Sequence, residues 1–362
     1  MLRLVRSRVR SPLSLRASMA TKATPPSGLT TAAAAAASEF DYVIVGGGSA
    51  GCVLANRLSA DPANRVLLVE AGPPDRGLWD SWRIQAPAGV MFNLKDARYN
   101  WRYTTEPQTH LDGRRLSWPR GRVLGGSSSI NAMVYMRGHA HDYDGWASEH
   151  GAAGWSYAEC LPYFRRSQTH ELGGDSYRGG DGPLRVIRGR QHERQELHGT
   201  FIEAAKQAGY PFTDDMNGFQ QEGVGHMDMT VHDGKRWSSA SAYLHPALAE
   251  GRPNLAVVTG ALAHRVLFDE AGRRAIGVSA EDSASRSVVT FRAAKEVILS
   301  GGAVNSPQLL LLSGVGDAGH LKDVGVPVVH HLPAVGRHLE DHIDIYVKYK
   351  CTQPITLAHA TL

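Results

Sequence analysis

Cysteine is scarce: Cys52, Cys160 and Cys351 lie far apart in 362 residues, with no CxxC pair. That spacing encodes neither a disulfide framework nor a zinc site, and it suits a reducing compartment. No run of 18 apolar residues occurs, so no bilayer-spanning helix is predicted. A strong charge of one sign is missing too. The formal net charge is +4, yet six cations (Arg3, Arg6, Arg8, Arg10, Arg16, Lys22) fall within residues 1–38, which hold no acid. Without those six of its 39 cations, the chain has slightly fewer cations than its 35 acids. A body this near neutrality has no footprint for nucleic acid, because affinity for phosphate backbones comes from counterions displaced by Lys and Arg.

What is present is enough apolar residue, 42%, to bury a sizeable core as one large or two ordinary domains. Residues 1–38 read as an address rather than as structure: Arg-rich, Ser-rich, acid-free, then Pro25-Pro26-Ser27-Gly28 and the alanine run Ala32–Ala37. Mitochondrial transit peptides have this composition, and a disordered tail is the alternative. From Asp41 the texture changes. Asp41–Val45 and Arg65–Glu70 read as buried strands around Gly46-Gly-Gly-Ser-Ala-Gly51 and a helix over Cys52–Ser59. This βαβ unit is the setting in which GxGxxG carries meaning. Gly46, Gly48 and Gly51 allow a tight turn, backbone approach to a pyrophosphate, and close helix–strand packing. The amides of the helix start, Ser49 and Ala50 included, would hold the phosphates. Glu70, followed by Ala71, ends the second strand, where a carboxylate can accept both ribose hydroxyls. A 2′-phosphate would be repelled there by about 4 kcal/mol at 4 Å and effective dielectric 20. The ligand is therefore NAD or FAD.

Further along, Leu255–Thr259, Arg265–Phe268 and Ala275–Val278 read as a strand meander, Lys295–Ser300 as a buried strand, and Ile343–Lys350 as a strand near the chain end. Glu196–Ala208 and Ser306–Ser313 read as helices. The paired histidines His139 and His141, His330 and His331, and Asp341-His342 show no carboxylate arrangement typical of a metal site, so no metal ligand is assigned.

Two long segments carry a resemblance. Gly121-Arg-Val-Leu-Gly-Gly-Ser-Ser-Ser-Ile-Asn131, continuing through Tyr135, Gly138 and Asp144, and Gly302-Ala-Val-Asn-Ser-Pro-Gln-Leu-Leu-Leu-Leu-Ser-Gly-Val-Gly316 resemble the signatures of the glucose-methanol-choline (GMC) flavoprotein oxidoreductases. The likeness runs from Asp41 to the chain end. It implies an α/β fold: a Rossmann-like FAD-binding domain, residues 39–165 and 230–335, with an inserted and here incomplete α+β substrate-binding domain, residues 166–229 and 336–362. Gly125 and Gly126 lack side chains where backbone must pass a flat ring system, and Ser127, Ser128 and Asn131 supply small polar groups at its edge. The resemblance places this loop, with Ala132, against the isoalloxazine, and Gly301 and Gly302 against the cofactor. Contact of the Val266 backbone with the adenine rests on likeness alone. Relatives that bind flavin covalently use a histidine where this chain has Ile130, so the expected FAD is non-covalent.

Within the family, Tyr99-Asn-Trp101, Asp215–Gly223, Gly234–Ser238, Ala242–Ala247 and Cys351–Leu357 look most like the choline-oxidising members. This implies choline as substrate, betaine aldehyde as product and a quinone or other electron acceptor. It also implies a mitochondrial location, in the matrix or at the inner membrane. Trp101, Tyr103 and Trp237 are loose candidates for a trimethylammonium contact. The family takes the hydroxyl proton with a C-terminal histidine partnered by His or Asn. Neither block occurs in these residues, and His245-Pro246 continues as Ala-Leu, so no catalytic residue is assigned. A chain that binds FAD without turnover is the alternative expectation.

Overall fold

The computed structural model describes residues 28–79, 81–189, 196–342 and 344–356. The chain divides into two compact units. Unit 1 comprises the chain up to Ile84, Ala88–Ile130 and Ser239–Arg337. Its elements are α1 (Ala32–Ala36), β1 (Glu39–Val45), α2 (Ser49–Leu58), β2 (Val66–Glu70), β3 (Leu255–Thr259), β4 (Ala261–Phe268), β5 (Ala275–Asp282), β6 (Val288–Leu299) and α3 (Gly302–Leu312). They build a six-stranded sheet in the order β3-β2-β1-β6-β5-β4. The first four strands run parallel, and β6-β5-β4 are antiparallel. β6 belongs to both halves. Up to Arg292 it pairs with β5, and from Arg292 onward with β1.

β2 is buried at all five positions, as a strand between parallel neighbours should be. Each such Val or Leu contributes about 1.5–3 kcal/mol of burial. The predicted βαβ unit forms with α2 beginning at Ser49, three residues before the periodic apolar pattern starts.

Four expectations need correction. The meander is β4-β5-β6, because Leu255–Thr259 turns away at Gly260 and adds to β2 as a parallel strand. Lys295–Leu299 is a strand, but Lys295 and Glu296 are exposed and Val297–Leu299 half-buried, so it is not a buried one. Of the strand expected over Ile343–Lys350, Ile343 lies outside the described residues and no strand forms over 344–350, where Ile345, Tyr346, Val347 and Tyr349 are exposed, since an apolar run without a pairing partner has nothing to saturate its backbone. The alanine run is not a disordered tail: α1 buries Ala32 and Ala35 in the core of unit 1. Residues 1–27 of the predicted leader lie outside the described residues.

Unit 2 comprises Gln85–Pro87, Asn131–Ser238 and the chain from His338 on, so 131–165 clusters here rather than with the first domain of the sequence reading. A small sheet aligns Val134–Tyr135, Asp228–Met229, Leu184–Arg188 and Gln168–His170. Capping boxes start two of its helices, His139 with Asp142 at Ala140–Ser148 and Ser156 with Glu159 at Tyr157–Ser167. The predicted helix at Glu196 runs to Gln207. Among the described residues no helix is long and apolar enough to cross a membrane.

Candidate cofactor-binding site

In unit 1 the three glycine segments meet at the carboxyl ends of the parallel strands. The Gly46 amide donates to the Val69 carbonyl at 2.8 Å, and the Ser300 amide to the Val45 carbonyl at 2.7 Å. The Gly125 amide donates to the Gly47 carbonyl at 2.7 Å. These contacts leave no room for side chains. A Cβ on Gly46, whose φ is +105°, would lie 2.5 Å from the Ser300 carbonyl oxygen. One on Gly126, at φ +55°, would lie 2.6 Å from Gly48 Cα. One on Gly51 would collide with the Gly46 carbonyl oxygen, and one on Gly121 with the Gly126 backbone.

The helix that leaves this crossing is uncapped. Gly48 makes no capping hydrogen bond at the start of α2, no acid occupies the first turn, and Ser49 and Ala50 are exposed. Amides at such an end point outward with partial positive charge, the condition an anionic pyrophosphate needs. The second glycine pair is similar. Gly301 starts α3 without a side-chain cap, Gly302 sits at φ +81°, and both are exposed.

Glu70 closes the cradle from β2. Its Oε2 accepts the Gly47 amide at 2.7 Å and its Oε1 the Gly72 amide at 2.8 Å. Burial nonetheless pushes its carboxyl up to about 7; those amides, the Arg122 charge and the half-buried Ala71 amide only partly offset the loss of water. The Cys52 thiol, buried one turn into α2, donates to the Gly47 carbonyl at 3.2 Å, and burial raises it to about 12. It is a packing group and not a nucleophile.

The serine-rich loop is held from within. Ser127 Oγ accepts the Gly121 amide at 3.1 Å, and Ser129 Oγ donates to the Leu124 carbonyl at 2.7 Å. Ser128 Oγ donates to the Gly125 carbonyl, accepts the Ser239 amide at 3.0 Å and lies 2.9 Å from Ser239 Oγ. Ser239 therefore braces the loop from 111 residues away, at the start of a buried π-helical turn, Ala240–Leu244. His245 ends that turn with Nε2 2.9 Å from Oδ1 of the buried Asp75. Sequence reasoning missed Ser239, Ser300 and Arg122. Ser239 and Ser300 carry no motif of their own in the sequence.

Not all predicted residues fall in this crossing. Val266 lies on β4, its amide donating to Ser313 Oγ at 2.8 Å, beside a cavity of about 430 Å³ lined also by Phe268 and Pro327. Asn131 and Ala132 belong to unit 2, where Asn131 Oδ1 accepts the Met133 amide at 3.0 Å and the buried Arg236 Nη1 at 2.8 Å. Trp101 stacks on Tyr103 at 5.9 Å with Arg122 at 5.1 Å from its centroid, and Trp237 donates to the Pro183 carbonyl at 2.9 Å. These rings are engaged in packing.

A glycine cradle, an uncapped helix start and a buried carboxylate at the end of β2 fit a dinucleotide cofactor. The family model for GMC oxidoreductases matches residues 40–344. The chain belongs to the GMC oxidoreductase family. GMC proteins are FAD-binding flavoproteins. Similar curated GMC relatives include human mitochondrial choline dehydrogenase, 57% identical over 97% of this chain and 57% of the relative. The mouse protein of the same name is 59% identical over 89% and 53%. The oxygen-dependent choline dehydrogenase of Pseudomonas putida GB-1 is 51% identical over 88% and 55%. The chain thus spans somewhat over half the length of the curated relatives it matches. Among solved structures, pyridoxine 4-oxidase from Mesorbium loti matches with TM-score 0.74 and 37% identity, over 82% of this chain and 56% of that one. Formate oxidase matches with TM-score 0.72 and 31% identity, over 81% and 50%.

Proposed function

We propose that unit 1 binds FAD non-covalently and that the protein oxidises choline to betaine aldehyde in mitochondria, passing electrons to a quinone or another acceptor. Support for the cofactor comes from one observation above others: three glycine segments distant in sequence cross in backbone contact beside an uncapped helix start. In this reading Gly46, Gly48, Ser49, Ala50 and Gly51 hold the pyrophosphate, and Glu70, next to Ala71, accepts the ribose hydroxyls. Gly125, Gly126, Ser127 and Ser128 back the flavin, with Asn131 and Ala132 following in the chain. Gly301 and Gly302 present a second helix start to the cofactor, and Val266 belongs to the adenine end. Ile130 is aliphatic and forms no bond to the ring.

Bound there, FAD supplies the hydride acceptor that alcohol oxidation requires. The residues of this chain hold and shield it, and unit 2 supplies part of the substrate-binding domain. Choline as substrate rests on the similarity to choline dehydrogenases from animals and bacteria. Location rests on the two mitochondrial relatives and on the acid-free, Arg-rich first residues. On this reading it lies, within mitochondria, in the matrix or peripherally associated with the inner membrane.

The cofactor assignment is tested on the purified chain, which should show a flavin absorption band whose chromophore leaves on acid precipitation. A colourless protein that recovers no FAD on reconstitution overturns it. The substrate assignment is tested on protein isolated from its native mitochondria, by choline-dependent reduction of an artificial electron acceptor with betaine aldehyde as product. Nicotinamide reduction by choline in flavin-free protein overturns it.

A further inference from the structure

The residues that look most like a leader by composition divide sharply at Gly28. All six cations lie before it, while residues 28–38 carry no charge at all. The uncharged stretch is built into unit 1. Leu29 pairs with Val257 in a parallel bridge, and the Thr30 amide donates to the Val257 carbonyl at 2.9 Å, so this short extension covers the outer edge of β3. Thr31 then caps α1, its Oγ1 accepting the Ala34 amide at 3.2 Å. The helix lays Ala32 (5% exposed) and Ala35 (2%) on the sheet, in the same apolar cluster as Val43, Leu67 and Val258. Alanine suits that position, since a larger side chain would lift the helix off the strands. A Cβ on Gly28, at φ +100°, would lie 2.5 Å from Leu248 Cδ2, so even the entry to the segment is fitted to its surroundings.

We propose that the removable mitochondrial leader is confined to residues 1–28, and that Leu29–Ser38 stay on the mature protein as a clamp on the edge and face of the nucleotide-binding sheet. The cleavage site is thus a peptide bond at or before Gly28–Leu29. An endopeptidase of the import compartment hydrolyses it, water giving the new carboxylate its oxygen and the new amine its proton. A cut further on, at the alanines, would bare the Val257 carbonyl and the edge of β3, which then offers unpaired groups to other chains. It would also strip the cover from the apolar face that Ala32 and Ala35 occupy. The clamp stands on the geometry of unit 1. Only the cleavage half rests on the mitochondrial reading of the preceding subsection.

Two measurements separate these parts. The full chain is expressed with Ala35→Arg, which places charge in the buried contact, and with Ala34→Arg, which places the same charge on the exposed side of the same helix. A35R should lower the Tm by several degrees and weaken FAD retention, whereas A34R should match the wild type. Equal Tm for the two variants overturns the clamp. The wild-type precursor is then imported into isolated mitochondria and the N-terminus of the protease-protected product is read by mass spectrometry. A shortened product starting at or before Leu29 supports the proposed boundary, and an uncleaved product or one starting at Thr30 or later overturns it. Failure of the precursor to enter mitochondria overturns the address and the cleavage with it, while the A35R and A34R pair decides the clamp independently.

Discussion

At the residue scale, the site is made by the absence of side chains. Gly51 packs its Cα side against the Gly46 carbonyl, so Gly51→Ala should cost about 1–3 kcal/mol and empty the flavin site, read by Tm and the FAD:protein ratio. Glycine is not needed everywhere. Gly145 lies inside the helix Ala140–Ser148 with open space where a Cβ would go. Gly145→Ala should therefore stabilise the protein by about 0.5–1 kcal/mol in a denaturant titration, with flavin content unchanged. Glu70 offers a pH signature. Its folded carboxyl is raised to about 7 from an ordinary 4.5, so between those values the folded state holds a proton that the unfolded chain has lost. Stability from this group is full below about pH 4.5 and falls as pH rises toward 7, levelling above it. Glu70→Gln should remove that slope from the flavin-free protein, and an unchanged Tm–pH profile would refute the burial argument.

At the element scale, one polar side chain ties the α2–β2 turn to the start of β3. Asn254, just before β3, donates from Nδ2 to the carbonyls of Ser59 (3.0 Å), Asp61 (2.9 Å) and Asn64 (2.8 Å), while its own carbonyl accepts the Val66 amide at 2.8 Å. It ties the turn between α2 and β2 to a strand that enters some 190 residues later. Asn254→Ala leaves those carbonyls to water and should cost about 1–3 kcal/mol by urea denaturation. Asn254→Asp, which turns an acceptor toward them, should cost more. Periodicity located the strands at Val66, Leu255 and Ala275 because alternation and apolar runs are local features. It assigned Leu255–Thr259 to the wrong neighbours because pairing is not local. Gly260, at φ +71°, sends the chain away from its sequential partner, and the fit of Val257 and Val258 beside Leu68 and Val69 decides the outcome.

At the scale of the whole molecule, the cofactor should act as a stabiliser as well as a reagent. On the proposed reading FAD binds only the folded crossing of the glycine segments, so adding it at 100 times its Kd should stabilise the protein by about 2.7 kcal/mol. A Tm independent of added FAD in the flavin-stripped protein would contradict the site. Acid should release the flavin intact, since Ile130 offers no atom for a covalent link.

The sequence alone determined the nucleotide cradle: strand, glycine turn, helix and terminal Glu70 occupy about 30 consecutive residues, and their geometry follows from short-range sterics and helix electrostatics. The two long signatures added the family and the loop proposed to back the flavin. The tertiary structure alone decided that Ser239 braces Ser128, that Trp101 is already stacked, and that the alanine run packs into the core. Composition records which residues are apolar but not what they touch. Ala32 and Ala35 matter through contacts with strands formed more than 200 residues later, and those contacts exist only once the sheet has closed around them.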